Sequence, residues 1–202
     1  MSNLIKSIQE IIRPAFIQSG TIHLREDDPG STCNVITLHK SGQAFAVRPD
    51  QSGGKICPRP ECAYGLSATD RLFPLFRIDI TALSAMCDYI VFYQQPSSVA
   101  LSRFFVFLCE LKSNNVNGSL RQAENGRILA DYILEMAIHH CDLPARPKIE
   151  RRALIFSPKF KVPKGNLTKN LCSYSRPSRR FQDLPFAYYA CGAEYPLEHF
   201  CV

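Results

Sequence analysis

The chain has 202 residues, of which 46% are hydrophobic and 21% are charged, and its formal net charge is +6. This composition is typical of a globular protein, and the length suits one domain over residues 1–202 with a hydrophobic core. No apolar run approaches the ~20 residues of a membrane helix, and the N-terminus lacks the pattern of a secretion signal, so we expect a cytoplasmic protein.

The first predicted element is an amphipathic helix over residues 3–13, which ends near Pro14. Its apolar residues recur with a period near 3.6 and form one stripe: Leu4, Ile5, Ile8, Ile11 and Ile12. Glu10 lies roughly opposite this stripe, which argues against a place for its carboxylate in a site on the core side.

Residues 34–39 and 44–48 have the composition of two strands joined as a hairpin, and 49–70 are rich in Pro, Gly and Ser. We therefore expect a loop or hairpin insertion around 39–75, with a further strand possible at 72–80. Cys57 and Cys62 in this region have a spacing that suits half of a zinc site or simply two loop cysteines.

Two apolar, aromatic runs of strand type follow at 87–92 and 104–112. Each contains charged residues, Asp88 in the first and Glu110 with Lys112 in the second. Because side chains alternate along a strand, Glu110 and Lys112 are predicted to share one face with Val106 and Leu108. A carboxylate and an ammonium so placed, joined by Asp88 from a neighbouring strand, are able to bind a divalent cation and position a water.

A long helix is predicted over about 120–139, largely buried because its apolar positions go most of the way round. A strand at 153–156 follows, so strand, helix and strand form a βαβ unit with parallel strands. Residues 186–190 are a last strand candidate. The elements together predict an α/β fold with a central mixed sheet flanked by helices.

Asp88, the Glu110-x-Lys112 triplet and Gln122 at the start of a helix resemble the motif of the PD-(D/E)XK nuclease superfamily, over roughly residues 85–157. The chain departs from that pattern at Cys87, where the family has proline. The resemblance implies a restriction-endonuclease-like fold and hydrolysis of phosphodiester bonds with Mg²⁺, for which Mn²⁺ substitutes.

The resemblance also implies a role for each residue of the motif. Asp88, Glu110 and the backbone carbonyl of Leu111 would bind the metal, since Mg²⁺ prefers oxygen ligands. Lys112 would contact the attacking water and the scissile phosphate. Gln122 would point from the helix toward the water or the metal.

Each of these residues also has an ordinary structural interpretation. Glu110 and Lys112 suit an ion pair at the solvated end of a strand, and Asp88 suits the cap of a turn. Ser119 and Gln122 match a capping box, in which Gln122 only closes the N-terminus of the helix.

Residues 146–180 contain eleven Lys or Arg and one acid, Glu150. A basic segment of this kind is expected to bind nucleic-acid phosphates, although a solvated loop has the same composition. The candidate phosphate ligands are Arg151, Arg152, Lys159, Lys161, Arg179 and Arg180.

The nine cysteines are expected to be free thiols, because no export signal is present. His139 and His140 at the end of the long helix are interpreted as complementing its dipole, with metal binding as the alternative.

The sequence thus predicts a magnesium-dependent DNA endonuclease that serves bacterial or phage defence, mobile-element processing or repair. It is expected to work as a homodimer or through recruitment by a larger complex. The alternative is a non-catalytic nucleic-acid-binding or interaction module on the same fold.

Overall fold

The computed structural model describes residues 4–26, 30–49, 85–96, 103–113, 115–141, 147–161, 173–175 and 184–202. Within them the helices are α1 (Leu4–Ile11) and α2 (Ser119–His140). The strands are β1 (Ile17–Ser19), β2 (Ile22–Leu24), β3 (Ile36–His39), β4 (Gln43–Val47), β5 (Tyr89–Gln94), β6 (Phe104–Leu111), β7 (Ile149–Phe156), β8 (Phe186–Tyr189) and β9 (Glu194–Pro196). The protein is therefore a mixed α/β structure.

The main sheet has six strands in the order β1-β4-β5-β6-β7-β8. Its first four strands pair antiparallel, whereas β6, β7 and β8 run parallel. The long helix α2 connects β6 to β7, which confirms the predicted βαβ unit. Because of these directions, β4, β6 and β7 end at the same edge of the sheet at which β1 and β5 begin.

Strand β6 lies in the middle of this sheet and is buried over its whole length. Phe104, Val106 and Leu108 pack into the hydrophobic cluster that contains α1 and α2. Phe105 and Phe107 point to the opposite face and pack against a second sheet. Alternation along β6 therefore puts Glu110 on the helix side, on the face that the sequence predicted it to share with Val106 and Leu108.

The second sheet contains β2, β3 and β9, with β3 at its centre. Both predicted strands of the 34–48 region exist as β3 and β4, but the prediction that they pair as a hairpin was wrong. All four residues of 44–47 are buried, as a strand between two neighbours requires, and β4 pairs with β1 and β5 instead. Most of the predicted insertion, including the strand at 72–80, Cys57 and Cys62, lies outside the described residues.

Helix α2 packs one side against the main sheet, as predicted, but exposes more of its other side than a largely buried helix would. Ile128 and Tyr132 are 57% and 52% exposed, respectively. On the packed side, a Cβ added at Gly126 would lie 2.2 Å from the Sγ of Cys87, so glycine allows the helix to approach the start of β5 closely. None of the helices in the described ranges is long and apolar enough to cross a membrane.

The cysteines are only partly reduced. Cys33 and Cys191 form a disulfide with a Cα–Cα distance of 5.3 Å, which corrects the expectation of free thiols for this pair. It joins the segment before β3 to the turn after β8. Cys87 and Cys109 are free and buried, as predicted. The spacing of 158 residues between the bonded cysteines left no local signal in the sequence.

Candidate functional site

The predicted motif residues meet at the edge of the main sheet where β6 ends and β5 begins. Tyr89 pairs with Cys109 in the antiparallel register, which places Asp88 level with Glu110. Lys112 directly follows β6, and Gln122 reaches the same point from the first turn of α2. The structure therefore brings all four candidate side chains together.

The carboxylate of Asp88 is tied to the neighbouring strand. Its Oδ2 accepts a hydrogen bond of 2.7 Å from the backbone N–H of Leu111, so Asp88 does not cap a turn of its own strand. The same bond brings the backbone of Leu111, the predicted carbonyl ligand, next to the carboxylate. Burial raises the pKa of Asp88 to about 6, although the Leu111 N–H and the Lys112 ammonium partly offset this effect.

Glu110 is the most unusual residue of the site, since it is charged and only 1% exposed. Neither of its carboxylate oxygens has a hydrogen-bond partner among the described residues. The Nζ atom of Lys112 lies 2.5 Å from Oε1, but the approach lacks hydrogen-bond geometry. Burial, and then the negative charge of Asp88, raises the pKa of Glu110 to about 8.

A buried carboxylate is costly unless it is paired, and here the ammonium of Lys112 lies against Glu110 while Asp88 adds a second negative charge. The pair formed by Glu110 and Lys112 is thus a real ion pair, but it is not the solvated one that the ordinary interpretation required.

Gln122 holds the ammonium of Lys112 from the other side. Its Oε1 accepts a hydrogen bond of 2.7 Å from Lys112 Nζ, and its Nε2 donates a long one of 3.4 Å to the carbonyl of Met86. The capping-box interpretation was wrong: Gly118 is the N-cap residue, and the hydroxyl of Ser119 donates to the carbonyl of Val116. Lys112 is therefore held between an amide oxygen and a carboxylate.

A third carboxylate, that of Glu26, lies close to this group and was missed from the sequence. Its charge contributes to the raised pKa of Asp88, and its Oε2 accepts hydrogen bonds from the hydroxyls of Ser31 and Ser113. Ser113 directly follows Lys112, so Glu26 borders the site. Glu10, in contrast, is exposed and pairs with Lys6 at 3.8 Å.

The sequence carried only a weak signal for Glu26. Glu26 lies two residues after β2, whose three residues are too few to establish a period, and no spacing relates Glu26 to the motif.

The basic residues fall into two groups. Arg151 pairs with Asp131 and Arg152 pairs with Glu150, each at 2.6 Å, so carboxylates compensate both charges. Lys159 and Lys161 are exposed and follow the end of β7, at the edge of the sheet that carries the site. Arg179 and Arg180 lie outside the described residues.

The donor set suits a magnesium-like cation. Mg²⁺ is usually held by one or two carboxylates and keeps several waters, which Asp88 and Glu110 would satisfy. In the part of the chain that the structure describes, no group of three or more His, Cys, Asp or Glu side chains is able to hold a metal. His139 and His140 only pack against each other at the exposed end of α2.

On the sequence-based expectation that this site cleaves DNA, Gln122→Ala should slow cleavage by about 10- to 100-fold, because a hydrogen bond to a charged group contributes about 1.5–3 kcal/mol and this one fixes the position of the Lys112 ammonium. DNA affinity is expected to stay the same. Single-turnover cleavage and binding assays would measure the two effects separately.

The matched control is Asn125→Ala, which removes an amide one turn later in α2. Asn125 donates to the carbonyl of Ala85 at 2.7 Å and so holds the same segment before β5 without contacting Lys112 by that bond. Equal losses in both variants would show that Gln122 acts only by anchoring this segment.

Comparison of the chain with models of known protein families, with curated proteins and with solved structures finds no match.

Proposed function

We propose that this protein is a metal-dependent nuclease that hydrolyses phosphodiester bonds in DNA. The observation that carries the proposal is Glu110: a carboxylate only 1% exposed, without hydrogen bonds from the described residues, beside the carboxylate of Asp88 and the ammonium of Lys112. The buried Glu110 and the half-buried Asp88 beside one lysine supply both a cation site and a positive group for a phosphate. The raised pKa values of both acids are typical of functional sites.

Asp88, Glu110 and the carbonyl of Leu111 would hold Mg²⁺ or Mn²⁺. A bound divalent cation polarises a phosphoryl oxygen and lowers the pKa of a water, which is the chemistry that hydrolysis of a phosphodiester requires. The fit rests on the charge balance of the site: the ammonium of Lys112 compensates one negative charge, whereas Glu110 and Asp88 together carry two, which leaves a charge for a cation to compensate.

Lys112 would stabilise the negative charge that develops on the scissile phosphate. Its ammonium lies against Glu110 and donates a hydrogen bond to Gln122. This geometry suits a group that donates hydrogen bonds to a phosphate. Gln122 would orient the ammonium, and the stabilisation would be strongest in this water-poor site.

The architecture supports the finer proposal of a restriction-endonuclease-like fold. Antiparallel β5 and β6 carry the acids, and a crossover helix leads to the parallel strand β7 while carrying Gln122. On this basis we propose a role in bacterial or phage defence, mobile-element processing or repair, in the cytoplasm. The protein would act as a homodimer or through recruitment by a larger complex.

A non-catalytic nucleic-acid-binding module is the second candidate. It is favoured by the 2.5 Å contact between Lys112 and Glu110, since an ammonium that already compensates the buried charge reduces the need for a cation. The two candidates differ in a plasmid assay. The nuclease should nick or linearise supercoiled DNA in Mg²⁺ or Mn²⁺, whereas binding without cleavage in both metals would support the module.

Neutralising Lys159 and Lys161 together is expected to weaken DNA binding about equally for all sequences. Each lost phosphate contact should reduce the slope of log affinity against log salt by about 0.9, while single-turnover rates at saturating DNA change little. Neutralising Arg151 and Arg152 is expected to change the slope less, because Asp131 and Glu150 already compensate their charges.

The matched control for this prediction is Lys148→Gln, whose side chain is 82% exposed near the start of β7, at the opposite edge of the sheet. If the variant that neutralises both Lys159 and Lys161 has the same salt dependence of DNA affinity as this control, the two lysines do not contact DNA phosphates and the prediction is wrong.

A further inference from the structure

A small open cleft with cationic walls lies beside the candidate site and belongs to none of the predicted residues. It has a volume of about 170 Å³. Its polar side chains come from Gln18, His23, Arg25, Arg48 and Tyr89, and residues 15–17 complete it. None of the described residues that line it is acidic, so its electrostatic character favours an anion.

The cleft shares an edge of the main sheet with the carboxylates. Val47 at the end of β4 pairs with Ile90, which places Arg48 level with Tyr89, the residue after Asp88. The charge of Arg48 lowers the pKa of Asp88, so the two groups are within electrostatic range. Tyr89 packs on the face of the main sheet that meets the second sheet, whereas Glu110 lies on the face covered by the helices. A DNA strand that passes over this edge of the sheet would therefore reach both faces.

Tyr89 contacts both arginines that line the cleft, the backbone of Arg25 and the guanidinium of Arg48. Its hydroxyl donates to the carbonyl of Arg25 at 2.8 Å and accepts from the amide of Arg25 at 3.1 Å. The guanidinium of Arg48 lies over its ring, 5.4 Å from the centroid. His23 is likewise held, because its Nδ1 lies 3.3 Å from the hydroxyl of Thr37. The backbone of Arg25, the guanidinium of Arg48 and the ring of His23 are therefore held in place, whereas the side chain of Arg25 is exposed and able to reach a ligand.

We propose that this cleft binds an internal backbone phosphate of the DNA strand that is cut, close to the scissile phosphate. Guanidinium groups bind phosphate oxygens in pairs of parallel hydrogen bonds, and Arg25 and Arg48 supply two such groups to the cleft.

This inference rests on the proposed function, and it is tested by binding without cleavage. Arg25→Gln is compared with wild type and with Lys148→Gln, which removes one charge at the opposite edge of the sheet. Affinity for a fluorescent duplex is measured by anisotropy in EDTA over a range of salt concentrations. Arg25→Gln should weaken binding several-fold and reduce the salt slope by about 1, whereas the control should not.

Tyr89→Phe is a second variant, which keeps the ring under Arg48 and removes the hydroxyl that holds Arg25. It should weaken binding in the same direction by a smaller factor. Arg25→Gln and Tyr89→Phe with the affinity and slope of wild type would overturn the assignment.

The source of the phosphate is decided with duplexes that end in hydroxyl or in phosphate groups. An internal phosphate predicts equal wild-type affinities for both duplexes and equal losses in Arg25→Gln. A terminal phosphate that strengthens binding in wild type but not in Arg25→Gln would overturn the internal assignment. Cleavage is measured separately. If DNA binding depends on Arg25 but the protein does not cut DNA, the nuclease proposal is wrong, whereas the assignment of the cleft as a phosphate site stands.

Discussion

Glu110→Gln is expected to abolish DNA cleavage and, at the same time, to raise the melting temperature of the metal-free protein at pH 8. Glutamine has nearly the same shape but cannot offer a charged oxygen to a cation. It also removes an acid that is 1% exposed and lies next to the charge of Asp88. A substitution that abolishes activity but stabilises the fold is typical of a residue that is needed for function and not for folding.

The pH dependence of the same variant follows from the raised pKa values. Glu110 titrates at about 8 and Asp88 at about 6 in the folded protein, above the values of about 4.3 and 3.9 for unfolded chains. At a pH between the unfolded-state and the folded-state pKa values, the folded state binds more protons than the unfolded state. The free energy of unfolding therefore falls as the pH rises toward 8. The contribution of Glu110 is at most about 5 kcal/mol, at 1.36 kcal/mol for each pKa unit.

Thermal unfolding in EDTA from pH 5 to pH 8 would measure this effect. The melting temperature of wild type should fall with pH, and the Glu110→Gln curve should be flatter. A domain of this size shifts by about 2–4 °C for each kcal/mol. The control is Glu150→Gln, because ion pairs with Arg103 and Arg152 lower the pKa of Glu150, and its loss should destabilise near neutral pH. Destabilisation by Glu110→Gln at pH 8 would contradict the account.

Lys112→Ala is expected to lower the single-turnover cleavage rate by about 10²–10³, which is the usual effect of removing one positioned donor of charge stabilisation. DNA affinity should change little, because Lys159 and Lys161 remain. Lys112→Arg should not restore the rate, since the guanidinium is larger and planar, and Gln122 and Glu110 hold the ammonium at 2.7 and 2.5 Å. Cleavage rate and DNA affinity are measured side by side for the three proteins.

Lys159→Ala provides the complementary control, with weaker binding and a nearly unchanged rate at saturating DNA. If Lys112→Ala cuts as fast as wild type, the Glu110-x-Lys112 triplet is an ordinary ion pair, and the binding-module proposal takes the place of the nuclease.

The part of the fold that carries the candidate site could be predicted because its signals are local. Alternation along β6 placed Glu110 on one face with Val106 and Leu108, and the order of strand, long helix and strand predicted the parallel pairing of β6 with β7. The resemblance to the nuclease motif implied that Asp88, Glu110, Lys112 and Gln122 meet at one place. The structure added the burial of Glu110 and the contact between Lys112 and Gln122, which separate this site from a solvated ion pair.

The remainder depended on pairing that the sequence does not encode locally. β1 and β2 have three residues each, too few to show a period, and their positions determine where Arg25 and Glu26 lie. β3 and β4 looked like a hairpin because a turn joins them, but burial on both faces of β4 favours a central place in the main sheet. The ion pair between Arg151 and Asp131 forms because α2 docks on β7. The sequence carries no local signal of this docking, so it suggested that Arg151 was available for DNA.

Calorimetric titration of Mg²⁺ and Mn²⁺ into wild type, Asp88→Ala and Glu110→Gln tests the central claim most directly, because it detects the cation at the carboxylates without relying on cleavage. Wild type should bind the metal and release protons at pH 7, since Glu110 must lose its proton to become a ligand. Both variants should lose most of the affinity and the proton release. Equal metal affinity in all three proteins would contradict the claim that Asp88 and Glu110 form the metal centre.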